Sequence, residues 1–424
     1  MLSAQDNERL VRVGPGTPCG NFMRRYWQPA LLSAELPEKD GAPLRVRLLG
    51  EDLLAFRNTD GAVGLVDALC PHRRAPLFFG RNEECGIRCV YHGWKFDVAG
   101  NCVDMPSEPV GTPLQKKVKL RAYPTVERGG IVWAYLGPPE LKPAPPNYEW
   151  LRAPDTHRRV SKTFEACNYL QAMEGGLDTA HSSFVHNNKL DDTSALRTRD
   201  RAPRIEVEPT DYGYWYTSTR TYDAASVYLR LYHFVLPHGQ VRGGFTKPTT
   251  GERADVPKLD GHIWVPIDDE TTYVYNWACG FDQSVPITPE YWREFETFCG
   301  RGPNEVVPGT FRLKRTLAND YLIDRQVQKT RTYTGIEGLN TQDFALQEGM
   351  GPIVDRSKEF LGTSDRAIIL MRRMLLENIA AVERGDAPAG ADPRASENVR
   401  AFDGLAPAGA KWQVAFAEHI RPRW

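Results

Sequence analysis

The chain has 424 residues, enough for two or three domains with a sizeable core. Lys and Arg total 53 against 54 Asp and Glu, a net charge of −1, which argues against a nucleic-acid partner because phosphate binding needs a positive field. Eight cysteines are too few for a disulfide scaffold, so reduced thiols in a cytoplasmic protein are expected, and Cys and His placed close together are read first as metal ligands.

The opening residues "MLSAQDNERL" lack the apolar centre of a signal peptide. Residues 12 to 30, "RVGPGTPCGNFMRRYWQPA", read as a Gly/Pro-rich loop followed by a short helix. From Leu44 short strands follow: "LRVRLLG" alternates, "DLLAF" is apolar, "NTDG" is a turn and "AVGLVD" is another strand. This β-rich region runs to "GIVWAYL" at 130 to 136, and the prolines of "GPPELKPAPPNYEW" make a stiff linker and a domain boundary. Beyond it, "FEACNYLQAMEGGLDTAHSSFVH", 164 to 186, reads as one helix with a weak Gly175–Gly176 centre. Long strands come next: "GYWYTSTRTY", "VYLRLYHFVL" and a hairpin turning at Asp268–Glu270. The C-terminal part is helical, and its most apolar stretch, "AIILMRRMLL", is broken by Arg372 and Arg373, so no membrane span is expected.

Two short motifs carry chemistry. Cys70 and His72 stand one residue apart in "CPHRRA", and Cys89 and His92 stand two apart in "CVYHGW", with sixteen residues between the pairs. Two thiolates and two imidazoles on neighbouring loops suit a metal centre. Structural zinc sites usually place both Cys before both His, whereas the order Cys-His, Cys-His suits a cluster with thiolates on one iron and imidazoles on the other. Further on, Asp178, His181 and His186 follow the spacing D-x2-H-x4-H. Two histidines and one carboxylate can occupy one face of an iron and leave the other open. "NTQDFALQEGMGPIVDRS" offers Asp343, Glu348 and Asp355 as the third ligand, although an Asp there can equally cap a helix.

Together the two motifs resemble the α-subunit of the Rieske non-haem iron ring-hydroxylating oxygenases, in particular the phthalate 4,5-dioxygenase group. The resemblance runs from "GPGTPCGNFMRRYWQPA" to "DRSKEFLGTSDRAII". It implies an α+β chain: residues 1–41 packing on the catalytic domain, an all-β Rieske [2Fe-2S] domain over 42–148, and a helix-grip (Bet v1-like) catalytic domain on an antiparallel sheet over 149–424. It implies a [2Fe-2S] cluster on Cys70, His72, Cys89 and His92, and a mononuclear Fe(II) on His181, His186 and Asp343. Gly93 would let its loop turn close to the cluster, and Trp94 would limit water. Ala75 and Tyr91 stand where respiratory Rieske proteins carry disulfide cysteines, and Cys85 and Cys102 are off the pattern, so no loop disulfide and a lower potential are implied.

The resemblance also implies partners and roles. Electrons would come from an NADH- or NADPH-dependent reductase with a flavin and a ferredoxin-type centre. Asp178 would bond His181 and reach His92 of a neighbouring subunit, making a homotrimer, or two stacked rings, the working unit. Asn168, upstream on the expected helix, is placed near the iron; Glu174 is read as a supporting or interface residue and His233 as core. The expected substrate is an aromatic carboxylate, phthalate, isophthalate or a substituted benzoate, converted to a cis-dihydrodiol. A buried Arg should hold its carboxylate, with Arg204, Arg230 and Arg242 as candidates and Arg242 and Arg230 preferred. O-demethylation of an aromatic acid is the alternative within the family. A Rieske electron-transfer protein is the alternative outside it, and would hold one iron fewer per chain.

Overall fold

The computed structural model describes residues 2–192, 194–247 and 250–424. Ser3 caps the first helix, Ala4–Val11, by accepting from the Asp6 N–H, and this helix packs on the C-terminal helix Arg366–Glu383. Strand β1 (Trp27–Leu32) is almost wholly buried. In β2 (Leu44–Leu48), Arg45 and Arg47 face solvent while Val46 and Leu48 face inward, the period of a half-buried strand. β3 (Glu51–Arg57) and β4 (Val63–Asp67) continue the meander. A second small sheet takes β5 (Arg81–Glu83), β6 (Gly86–Arg88), β7 (Lys95–Phe96) and β8 (Cys102–Asp104) in sequence order. β9 (Ala122–Tyr123) closes on β4 to complete the order β2-β3-β4-β9.

The chain then returns to where it left. β10 (Thr125–Arg128) and β11 (Ile131–Tyr135) form a hairpin, and β11 pairs with β1 in the order β1-β11-β10. Leu32 lies opposite Ile131, and the Ser33 N–H donates to the Gly130 carbonyl at 2.9 Å. The division expected after residue 41 thus separates β2 from a strand that belongs with β11. The proline linker leads to β12 (Arg158–Glu165).

The second unit is an eight-stranded antiparallel sheet. After β12 come β13 (Arg204–Pro209), β14 (Gly213–Thr221), β15 (Ser226–Val235), β16 (Gly239–Thr246), β17 (Arg253–Pro266) and β18 (Thr272–Gly280). Their order is β12-β18-β17-β16-β15-β14-β13, and a late strand, β19 (Phe402–Pro407), pairs with β15. Strand alternation sends even-numbered residues of β15 to β18 to one face, where Arg242 lies opposite Asp260, His262 opposite Asn276 and Trp264 opposite Val274. Odd-numbered residues face the other way, and Trp277 stacks on Trp150 with ring centroids 5.0 Å apart.

Beside the cavity the even face is covered by two helices, Tyr169–Leu177 and Leu339–Gly349, and farther along Arg366–Glu383 packs on β13 and β14. The single helix expected over 164–186 does not form. Phe164 and Glu165 belong to β12, and Asp178 leaves the helix with extended backbone. Its carboxylate accepts from the Ala180 and His181 N–H groups at 2.7 and 3.2 Å and starts a separate short turn, His181–Ser183. The glycine pair is explained by close approach. A Cβ on Gly176 would stand 2.1 Å from the Trp264 ring, and one on Gly175 would stand 1.9 Å from Gln347 Nε2. Glu174, buried, pairs with Arg356 at 2.9 Å and Arg372 at 2.7 Å, tying this helix to the C-terminal one.

Candidate metal centres and active-site cavity

The two cysteine loops close in the same way. In the first, the Cys70 N–H donates to the Ala75 carbonyl and the Arg74 N–H to the Cys70 carbonyl, both at 2.9 Å. In the second, the Cys89 N–H donates to the Trp94 carbonyl at 2.8 Å and the Gly93 N–H to the Cys89 carbonyl at 2.9 Å. Each turn needs a left-handed residue at its fourth step: Arg74 at φ 57° and Gly93 at φ 79°. At 93 the need for glycine is double, since a Cβ would meet Pro106 at 2.6 Å.

Both thiols are buried, and the two imidazoles sit at the rim with ring centroids 4.4 Å apart. Trp94 stacks on His72 at 4.3 Å and donates from Nε1 to Ser107 Oγ, which fixes the indole as one wall. Burial pushes the Cys70 thiol up to about 11, against a backbone bond from His72, so its thiolate needs a metal's charge. The His92 Nδ1 is buried with no hydrogen-bond partner. An orphaned imidazole nitrogen beside two buried thiols is a donor set that fits an iron–sulfur cluster with mixed ligands. Cys85 and Cys102 turn elsewhere, donating to Asp60 and to the Asp104 carbonyl.

The second centre gathers residues from distant segments. The His181 Nε2 and His186 Nε2 lie 3.2 Å apart, and each faces Asp343 Oδ1, at 3.5 and 3.4 Å. The three ligand atoms all lie within 4.8 Å of one another, the one such group of three or more among the described residues. The outer nitrogens set the tautomers. Gln342 spends its Nε2 on Asn188 Oδ1 and the Ile336 carbonyl, so its Oε1 is left to accept from His186 Nδ1 at 3.0 Å. The His181 Nδ1 faces Asp178 Oδ2 at 3.4 Å. The His186 Nε2 lone pair therefore points at the His181 ring and at a carboxylate, a cluster of donor atoms that a cation between them would satisfy. Burial pushes the His186 imidazole down to about 4. Burial opposes charge on His181 too, but Asp178 and Asp343 outweigh it and hold that ring above its usual value. The set fits a divalent metal held on one face by two histidines and a carboxylate. Arg220, fully buried in β14, holds the turn beneath by donating to the Thr179 carbonyl at 2.8 Å and Ser183 Oγ at 3.3 Å.

A cavity of about 440 Å³ opens beside these ligands, between the sheet and the two helices. Trp264 and Tyr232 give it flat walls, and Arg197, Arg230, Arg242 and Lys258 give it positive charge. Arg242 is paired with Asp260 at 2.9 Å. Arg230 is buried with its guanidinium 4.8 Å from the Tyr232 ring centroid, and the Nε atoms of Arg230 and Arg197 are buried without partners among the described residues. Burial lowers the Arg197 pKa to about 10.

Asp178, His181, His186, Asp343, Arg230 and Arg242 all border this cavity. Asn168 does not. It caps the helix Tyr169–Leu177 through Oδ1, donates to the Val11 and Asp269 carbonyls at 3.0 and 2.7 Å, and is fully buried at the far end. With every amide atom so engaged, its expected place near the metal is corrected to a structural one. Arg204 is exposed in β13 beside Glu206. Glu348 accepts from Tyr321 and from the Ala166 N–H, and Asp355 caps a short turn, so neither competes with Asp343. His233 is core, bonded to Tyr212 and the Arg400 carbonyl. Sequence reasoning missed Arg197 and Gln342. Gln342 adjoins Asp343, the one signal available; Arg197 had none.

Residues 26–124 match the Rieske [2Fe-2S] domain family, and residues 134–422 match the LigXa C-terminal domain-like family. The chain is 39% identical over 443 residues to the phthalate 4,5-dioxygenase oxygenase subunit of Pseudomonas putida, covering 99% of this chain and 96% of that one. It is 33% identical over 401 residues to the 5,5'-dehydrodivanillate O-demethylase oxygenase subunit of a Sphingobium species, covering 92% and 83% respectively. Among solved structures, dicamba monooxygenase bound to 3,6-dichlorosalicylic acid shares the fold, with a TM-score of 0.59 at 19% identity over 86% of this chain and 99% of that one.

Proposed function

Since this chain belongs to the Rieske oxygenases, as an oxygenase subunit of a multicomponent system that draws on a reductase or ferredoxin, we propose that it dioxygenates an aromatic carboxylate to a cis-dihydrodiol. In this reading the ring and O2 take up two electrons and two protons. The observation that carries it is the cavity itself: flat aromatic walls and buried, incompletely paired arginines beside a two-histidine, one-carboxylate centre.

Cys70, Cys89, His72 and His92 would hold the [2Fe-2S] cluster, and His181, His186 and Asp343 the mononuclear Fe(II). When bound, these groups supply one-electron transfer and O2 reduction. The rest falls to the chain. Arg230 and Arg197 offer guanidinium forks to a carboxylate, with Arg242 held back by Asp260. Trp264 and Tyr232 confine the ring, and the buried surroundings exclude water. Asp178 holds His181 at Nδ1 and, on a ring of three or a pair of such rings, would also meet His92 of the neighbouring subunit.

The test is product analysis on a panel of benzene mono- and dicarboxylates with a surrogate NADH-dependent reductase. A cis-dihydrodiol carrying both atoms of labelled O2 is expected. Faster turnover of neutral aromatics would remove the substrate class. If Arg230→Met and Arg197→Met both leave the apparent KM for benzoates unchanged, the arginines have another role. O-demethylation is the second reading, favoured by the demethylase relative; a phenol carrying no oxygen from labelled O2, with one equivalent of formaldehyde released, would select it.

A further inference from the structure

Asp343 has two carboxylate oxygens, and the structure treats them differently. Oδ1 faces both histidines, whereas Oδ2 accepts from Asn340 Nδ2 at 3.4 Å, one turn earlier on the same helix. An amide can present either its oxygen or its nitrogen, so something must fix its direction. That group is Arg301. It can only donate, and its Nη1 donates to Asn340 Oδ1 at 2.9 Å, which turns Nδ2 toward Asp343. Arg301 is itself held by Glu296, Nη2 to Oε1 at 2.6 Å, with side-chain exposures of only 3% and 8%. The two segments meet through glycines. Gly300 and Gly338 are both left-handed, at φ 81° and 87°, and a Cβ on Gly338 would stand 2.6 Å from the Gly300 Cα. This contact lets the Asn340 N–H reach the Cys299 carbonyl at 2.9 Å and sets the helix register against Arg301.

We propose that Glu296, Arg301 and Asn340 form a positioning chain for the metal-binding carboxylate, which commits Asp343 Oδ1 to the metal and holds Oδ2 away from it. Arg301 and Asn340 also border the cavity, but in this role they act through Asp343, and so does Glu296 behind them. The inference rests on the reading of His181, His186 and Asp343 as the Fe(II) site.

The experiment measures Fe(II) affinity by chelator competition on protein that retains its cluster, alongside cluster absorbance and the melting temperature without Fe(II). Asn340→Leu should weaken Fe(II) binding by about 10–100-fold, with cluster absorbance and melting unchanged. Single changes at Arg301 or Glu296 strand a buried charge, so the pair is removed together as Arg301→Met/Glu296→Met. That variant should lose affinity to a similar degree, and adding Asn340→Leu should cost little more, because both act through one carboxylate. Asp343→Ala separates the two levels of inference. If it binds Fe(II) as the unaltered protein does, the ligand assignment fails. If it loses Fe(II) while Asn340→Leu and the double variant keep full affinity, the ligands stand and the positioning chain is overturned. A loss of Fe(II) that merely follows a lowered melting temperature in each variant also overturns it.

Discussion

The two metal centres are built on opposite principles. The cysteine loops are local: each closes on itself with the same pair of backbone bonds, and all four candidate ligands fall between Cys70 and His92. The histidine–carboxylate centre is assembled by tertiary packing, and His186 donates its outer hydrogen bond to a residue 156 positions away. A local site survives loosening of the domain around it. A site shared between a turn and a distant helix is lost as soon as the two segments separate. The second centre is therefore the weaker structure, and its three candidate ligands are only half-buried, whereas the two thiols of the first are buried.

The largest effects come from the ligands. Asp343→Ala should abolish turnover and mononuclear iron while leaving the Rieske absorbance and reduced-state paramagnetic signal intact. Cys89→Ser should do the reverse. If either substitution removes both kinds of iron, the centres are not structurally independent and the contrast fails.

Next is Asp178→Asn. Asp178 serves both as the acceptor for His181 and as the carboxylate that would face His92 of a neighbour. Both centres should keep their metal, while single-turnover electron transfer slows by about 10–100-fold. A fully active monomer by sedimentation would contradict the assembly.

Glu174→Gln tests the tertiary side of the contrast. It leaves Arg356 and Arg372 short of a buried counter-charge, at a cost of about 3–5 kcal/mol. On heating, chelatable Fe(II) should then appear well before the cluster bleaches; simultaneous loss would show one cooperative unit. The pH dependence has a definite sign. Burial works against ionised Glu174, but the two arginines outweigh it and its pKa is lowered. Its contribution is present above the unfolded carboxylate pKa of about 4.3 and is lost as pH falls through the lower folded value. Denaturation below that range should be shallower in the Gln variant.

The smallest effect distinguishes the two loops from each other. Gly93→Ala, with left-handed backbone and the Pro106 contact, should cost about 1–3 kcal/mol and weaken the cluster. Arg74→Gly, at the matching step, should be close to neutral by melting temperature, because the turn there already tolerates a side chain.

The same contrast decides what could be read from the sequence. Cys70, His72, Cys89 and His92 were legible because their geometry is set within a few residues. Asp178, His181 and His186 were legible as a spacing, but not as a shape. Apolar periodicity over 164–186 suggested one helix, while the break comes from the Asp178 carboxylate capping the Ala180 and His181 N–H groups. Asn168 was misplaced for the same reason, since a continuous helix would have carried it toward the metal. Arg230 could be placed by strand alternation, which needs only a period of two. Arg197, Gln342 and the Arg301–Asn340 contact depend on which segments meet, and no local pattern encodes that.

The pairing of β1 with β11 has a consequence for how such a chain can be rebuilt. Leu32 and Ile131 are neighbours in one sheet, so everything from Ser33 to Gly130 leaves and re-enters through a single doorway. The electron-carrying part is in effect a cassette spliced into the catalytic scaffold with its cut ends touching. Closing that doorway needs little loop entropy, so a cassette of different potential can be grafted there provided it brings back the β10 edge strand that pairs with β11.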